Sequence, residues 1–163
     1  MLVAPELLAR NFEYSLWASL TLLDAAAQLS PEALAEPRGN SFGGILDTFV
    51  HIYRADRVWL SRLQGNPVPF APPGEALTLA DLRAQWPALG AGLAAFAREQ
   101  NEANFAKPFT WKNLQGLEKS APLYRVLLHV VNHGTYHRGQ ITTMIRQAGG
   151  QPVSTDLIYY EGM

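Results

Sequence analysis

Apolar residues recur at three- and four-residue steps through four separate stretches of this 163-residue chain, and that period belongs to the inner stripe of an α-helix. In the first stretch Leu8, Phe12, Leu16, Leu20 and Leu23 fall in step between about Pro5 and Gln28. The second runs from about Phe42 to Leu63, with Ser41 as its expected cap and Gln64-Gly65-Asn66-Pro67 as its stop. The third opens with Thr78 and Asp81 in capping-box spacing and carries Leu82, Trp86, Leu89, Leu93 and Phe96 inward to about Ala103, with Pro87 as a candidate kink. The fourth starts at Ser120 and Pro122, runs to about Gln147 and stops at Gly149-Gly150. Four long helices predict an all-α four-helix bundle, here a single domain over residues 1–163.

The connections are equally readable. Ser30-Pro31-Glu32 predicts one short helical turn, because Pro37 and Gly39 stop anything longer. Between helices two and three, Pro67, Pro69, Pro72 and Pro73 predict an extended crossover lying on the surface. From Phe105 to Ala121 the pattern changes: Phe105, Phe109 and Trp111 alternate with polar residues, and Asn113 to Gly116 reads as a turn, so a short hairpin or ordered loop is expected rather than helix. Helix two is apolar on two flanks, Ile45, Phe49, Tyr53, Leu60 and Leu63 on one and Thr48, His51, Ala55 and Val58 on the other. It must be covered on both sides, by its own bundle and by a second subunit.

Several functions are excluded at this stage. The 13 basic and 14 acidic residues leave a net charge of -1, with no basic run able to track a phosphate backbone, so no nucleic-acid partner is expected. Zero cysteines rule out disulfides, thiolate metal sites and a cysteine nucleophile. The N-terminal segment MLVAPELLARNFEYSLW lacks the basic region of a signal peptide, and no stretch is apolar for the roughly 18 residues of a membrane span. A cytoplasmic location without membrane contact is the expectation.

Chemistry concentrates in HVVNHGTYHRGQI, where three of the four histidines, His129, His133 and His137, are spaced by four. On a wheel at ~100° per residue with His133 at zero, Val126, Val130, Ile141 and Met144 form a stripe with His137 in its middle, while His129 falls on its edge, so His133 and His137 are expected to point into the bundle. An i, i+4 pair can reach one metal ion without distorting a helix, as in the zinc motif H-E-x-x-H. Here no Glu follows the first histidine, so a metalloprotease lacks its base. Core histidines bonded to carbonyls would produce the same stripe, but the remaining histidine, His51, stands mid-helix on the small-residue flank of helix two and completes a candidate ligand set. Three imidazoles leave a divalent ion with one open position, the arrangement of a catalytic rather than a structural site. Zinc, nickel, copper and iron all suit imidazole ligands and the ligand set does not choose among them; zinc or nickel is taken as the expected ion.

Around this set, Asn132, Arg138 and Gln140 are candidates to orient imidazoles or bind an anion, and Arg138, ~140° from His133 on the wheel, is expected in solvent. Gly139 inside a helix costs about 1 kcal/mol relative to Ala and suggests close approach of another backbone. Trp111 and Tyr136 are candidates for a pocket mouth, whereas Asp47 and Asp56 stand at the wrong angles from His51 to serve as a base for hydrolysis.

The segment NHGTYHRGQI resembles the fourth-helix signature of the DinB-like metal-binding four-helix bundles. HIYRADRVWLSRL in helix two and TDLIYYEGM at the C-terminus extend the likeness over essentially the whole chain. The resemblance implies His51, His133 and His137 as metal ligands, His129 as a non-ligand neighbour, and a homodimer. It further implies that an open divalent ion activates a low-molecular-weight thiol, such as bacillithiol, mycothiol or glutathione, for transfer to an electrophile. The alternative within the family is a non-catalytic metal-binding stress-response bundle.

Overall fold

The computed structural model describes residues 4–151 and 153–162, so Met1–Val3 and Met163, the ends of the two terminal segments quoted above, lie outside the described residues. The molecule is mostly helical with one small sheet. Its order is α1 (Pro5–Ala26), α2 (Pro31–Ala35), α3 (Ile45–Leu63), α4 (Leu79–Arg98), α5 (Glu102–Ala106), β1 (Pro108–Lys112), β2 (Glu118–Pro122) and α6 (Leu123–Gln147). A single 3₁₀ turn, Leu157–Tyr159, follows. The four long helices are thus α1, α3, α4 and α6. Each packs against two others: α1 and α3 both touch α4 and α6.

Local chemistry sets most boundaries. Thr78 and Asp81 form the expected capping box, with Asp81 N donating to Thr78 Oγ1 at 3.2 Å and Thr78 N to Asp81 Oδ2 at 2.9 Å. The helix then runs continuously through Pro87. It ends at Arg98, earlier than the predicted Ala103, because Asn101 turns the chain and caps α5 by accepting from Asn104 N at 2.9 Å. The second long helix starts at Ile45, not Phe42, and Ser41 does not cap it. Gly43 has φ +85°, which breaks the helix upstream, and Gly44 N instead donates to Asp47 Oδ2 at 3.3 Å. A Cβ on Gly44 would stand 2.6 Å from Leu34 O, so α2 closes over the start of α3.

The predicted hairpin is present. β1 and β2 pair antiparallel from Pro108↔Pro122 to Lys112↔Glu118, and Gly116 turns at φ +76°. Asn113 Oδ1 holds the turn by accepting from Gln115 N and Leu117 N. The proline-rich crossover is tied over α3 by Glu75, whose carboxylate accepts from Arg54 Nε at 2.8 Å and from Arg57 Nη1. Those hydrogen bonds, Arg57's first, hold Glu75 below the usual carboxylate range. Both flanks of α3 are therefore covered from within the chain, by α4, α6, α2 and the crossover. The two-sided pattern has no need of a second subunit.

Two apolar clusters fill the interior. Leu8, Phe12, Leu93 and Leu127 belong to one, and Leu22, Ile45, Phe49, Trp86 and Ile141 to the other. Burial of each such side chain contributes about 1.5–3 kcal/mol. Between them along the helices lies a polar layer: Ser15 and Ser19 on α1, Asp56 on α3 and Arg138 on α6. On α6, His133 and His137 lie beside this layer, between Val131 of the first cluster and Ile141 of the second.

Candidate metal centre

His51 comes from the first half of α3, and His133 and His137 from successive turns of α6. Because α3 packs on α6, one nitrogen from each ring falls within 4.8 Å of the other two. His51 Nε2 and His133 Nε2 are 3.0 Å apart. Two nitrogens bound about 2.05 Å from a tetrahedral ion stand roughly 3.3 Å apart, so the spacing suits a shared ion with small adjustment. The donor set is wholly imidazole; His137 is buried, and His51 and His133 are half-buried. Solvent therefore reaches one side of the cluster.

Burial and the neighbouring His137 push His51 down to about 4, and burial with His137, His51 and His129 pushes His133 down to about 3. Both are neutral at pH 7, which is the form that binds a metal. No carboxylate joins the cluster among the described residues.

The three rings are oriented differently. His137 Nδ1 lies 2.8 Å from Gln140 Oε1, one turn on along α6, which leaves Nε2 free for an ion. His51 Nδ1 is buried without a hydrogen-bond partner, and its ring is instead stacked on Phe42 at 3.6 Å and 14°. Phe70, delivered by the crossover, packs at 5.6 Å from His51, and Tyr136 at 4.9 Å from His137. Phe42 and Tyr136 are exposed, so aromatic rings edge the open side of the site. Gln140→Leu is expected to weaken metal affinity about 10–100-fold with little change in fold, measured by competition with a chromophoric chelator. Equal affinity in the two proteins would show that the hydrogen bond to His137 orients nothing.

Other residues singled out from the sequence fall elsewhere. His129 is exposed at its outer edge, with its ring 5.8 Å from His133 and 5.7 Å from Trp59, outside the three-nitrogen cluster. Trp111 lines a cleft beside it, and Tyr136 flanks His137. Asn132 Nδ2 donates back to Leu128 O at 3.0 Å. Asp56 is buried and accepts from Trp86 Nε1 at 3.0 Å, away from the histidines.

Arg138 corrects the expectation of a solvated side chain: it is only 2% exposed. Its guanidinium donates to Ser15 Oγ at 2.8 Å and to Thr135 Oγ1 at 2.9 Å, and lies over the Tyr14 ring at 5.5 Å. The space for it comes from Gly134, where a Cβ would meet Arg138 Nη1 at 2.8 Å and Ser15 Oγ at 3.2 Å. Gly139, by contrast, has nothing within 4 Å of an added Cβ, so no backbone approaches there. Gly134, rather than Gly139, is the glycine that close packing requires.

Comparison with known proteins agrees with this architecture. The chain is 30% identical over 162 residues to Protein DinB of Bacillus subtilis (strain 168), covering 91% of this chain and 90% of that protein. Its fold matches the crystal structure of a DinB-like protein from Bacillus cereus ATCC 10987 with a TM-score of 0.69 at 18% identity, over 90% of this chain and 94% of that one. The DinB family model matches residues 4–163, and with that the chain belongs to the DinB family.

Proposed function

We propose that this protein is a metal-dependent transferase that acts on a low-molecular-weight thiol, with His51, His133 and His137 holding a divalent ion, zinc or nickel, inside a four-helix bundle. The observation that carries the reading is the convergence of three imidazoles from two helices on one point, with an open aromatic-edged side and no carboxylate beside them among the described residues. Bound there, a divalent ion supplies a Lewis acid that lowers the pKa of a thiol and presents it as a nucleophile. The chain's own residues do the remaining work. Gln140 fixes the His137 ring, Phe42 fixes the His51 ring, and Phe42, Phe70 and Tyr136 give the open side an apolar rim suited to the body of a small organic thiol. Without a nearby carboxylate base, hydrolysis is the weaker candidate among metal-assisted reactions.

Consumption of a small thiol in the presence of a model electrophile tests the proposal. The rate is expected to depend on added zinc or nickel and to fall by at least about 100-fold in His137→Ala, since a metal-site ligand matters more than the outer groups that cost 10–100-fold. A rate unchanged by His137→Ala would sink the transferase reading. Metal binding without turnover of any thiol would favour the non-catalytic alternative. The same proposal includes a homodimer, supported by family membership and by exposed apolar side chains such as Leu7, Tyr136 and Ile158, and light scattering in solution tests it.

A further inference from the structure

A cleft of about 490 Å³ opens on the far side of His129 from His133, between α3, the hairpin and the first turns of α6. Its size is that of a small-molecule site. Trp59 on α3 and Trp111 on β1 meet edge to face, with ring centroids 5.4 Å apart at 66°, and together form one aromatic wall of the cleft. Both rings are braced by further contacts. Arg62 lies over the Trp59 ring at 4.9 Å while donating to Lys112 O at 2.8 Å, which ties the hairpin to α3. Phe109 packs parallel to Trp111 at 6.4 Å from the preceding inward position of the strand. The tryptophans are therefore set in place by contacts that do not depend on a ligand.

The charge around this cleft is one-sided. Lys119 is the cross-strand partner of Trp111, so both side chains stand on the same face of the hairpin, and Arg125 projects from the first turn of α6. Arg10, Arg38, Arg54, Arg57, Arg83 and Arg98 each pair with a carboxylate, whereas Lys119 and Arg125 make no such pair among the described residues. No carboxylate lines the cleft among the described residues. His129 closes its inner end, with its ring against Trp59 on one side and His133 on the other.

We propose that this cleft binds a small carboxylate with a flat, apolar body, such as an aryl or conjugated acid. The body packs against Trp59 and Trp111, the carboxylate faces Lys119 and Arg125, and the inner end rests on His129 at the flank of the three-histidine centre. The arrangement gives the first member of the histidine ladder a place outside the metal cluster. Binding of the acid does not rest on the function proposed above.

The test uses chelator-treated full-length protein, so that it stands apart from any metal. Indole N–H signals of Trp59 and Trp111 are followed by NMR during titration with cinnamate, cinnamyl alcohol and acetate. Cinnamate is expected to shift both signals saturably and to bind at least about 10-fold more tightly than the alcohol or acetate, the margin of a charge-assisted contact added to an aromatic one. The double variant Lys119→Ala/Arg125→Ala, altered only at exposed positions, should lose about 10-fold for cinnamate and nothing for the alcohol. Trp111→Ala should weaken both ligands. Equal affinity for acid and alcohol, or cinnamate binding unchanged in the double variant, overturns the proposal. Zinc binding is measured in parallel on untreated protein: cinnamate binding without zinc binding removes the metal reading alone, and the reverse result removes this one alone.

Discussion

Purified His133→Ala protein is expected to carry no more than about a tenth of the divalent metal held by wild type when both are prepared side by side and analysed for bound elements. The reason is the number of donors. Three imidazoles, one from α3 and two from α6, are the only ligand cluster among the described residues, and no carboxylate stands near to replace a lost nitrogen. Removing a direct ligand must cost more than the 10–100-fold typical of groups that merely orient one. His133 Nε2 also lies 3.0 Å from His51 Nε2, so the substitution removes the nitrogen that stands directly beside the α3 ligand.

The same site should be visible in stability. At a free metal concentration 100 times the Kd, binding to the folded state alone adds about 2.7 kcal/mol. For a chain of this size that corresponds to roughly 5–10 °C in Tm. Chelation is therefore expected to lower the wild-type Tm by this amount and to leave His133→Ala unmoved. Wild type that is metal-free, and stays so after incubation with zinc or nickel, would remove the basis for both the catalytic and the non-catalytic reading.

Much of this site was legible before the fold was known, and the limits of that legibility have physical causes. His133 and His137 announced themselves because helical spacing is a local property, and His51 followed because one histidine remained to complete the set. The hairpin and the Thr78 box were legible for the same reason: their partners lie a few residues away. Arg138 misled because its partners do not. Ser15 and Ser19 stand about 120 positions earlier, and a wheel angle describes where a Cβ points rather than where a long guanidinium ends. Gly134 was overlooked and Gly139 overvalued because a glycine's spatial neighbour is not written in its sequence neighbours. Phe42 looked like the first residue of a helix, yet it lies before the helix begins and stacks on His51. The extended crossover was readable from its prolines, but the pairing of Glu75 with Arg54 and Arg57 that places Phe70 beside the site was not.

The second large effect concerns Asp56, which sits in the polar layer between the two apolar clusters, five residues along α3 from His51. Burial pushes its carboxyl up to about 7, against a hydrogen bond from Trp86 and the charge of Arg138, both of which favour the ionised form. The folded protein thus holds a proton that the unfolded chain releases near pH 3.8. Stability contributed by this group is present below pH 3.8 and is lost as pH rises through about 7. A gap of about three pH units at 1.36 kcal/mol each limits the loss to about 4 kcal/mol. In the metal-free protein His51 and His133 act in the opposite sense, since their depressed values favour the fold as pH rises toward 6.5. Their contributions cancel when two proteins sharing both histidines are compared. Asp56→Asn keeps an oxygen to accept from Trp86 Nε1 and has nothing to titrate. Denaturant unfolding with chelator present should therefore show the variant gaining on wild type steadily from pH 4 to 7, by up to about 4 kcal/mol, with no further change above that. Parallel stability curves for the two proteins would mean that Asp56 is ionised in the fold throughout, with Arg138 as its effective counter-ion across the polar layer.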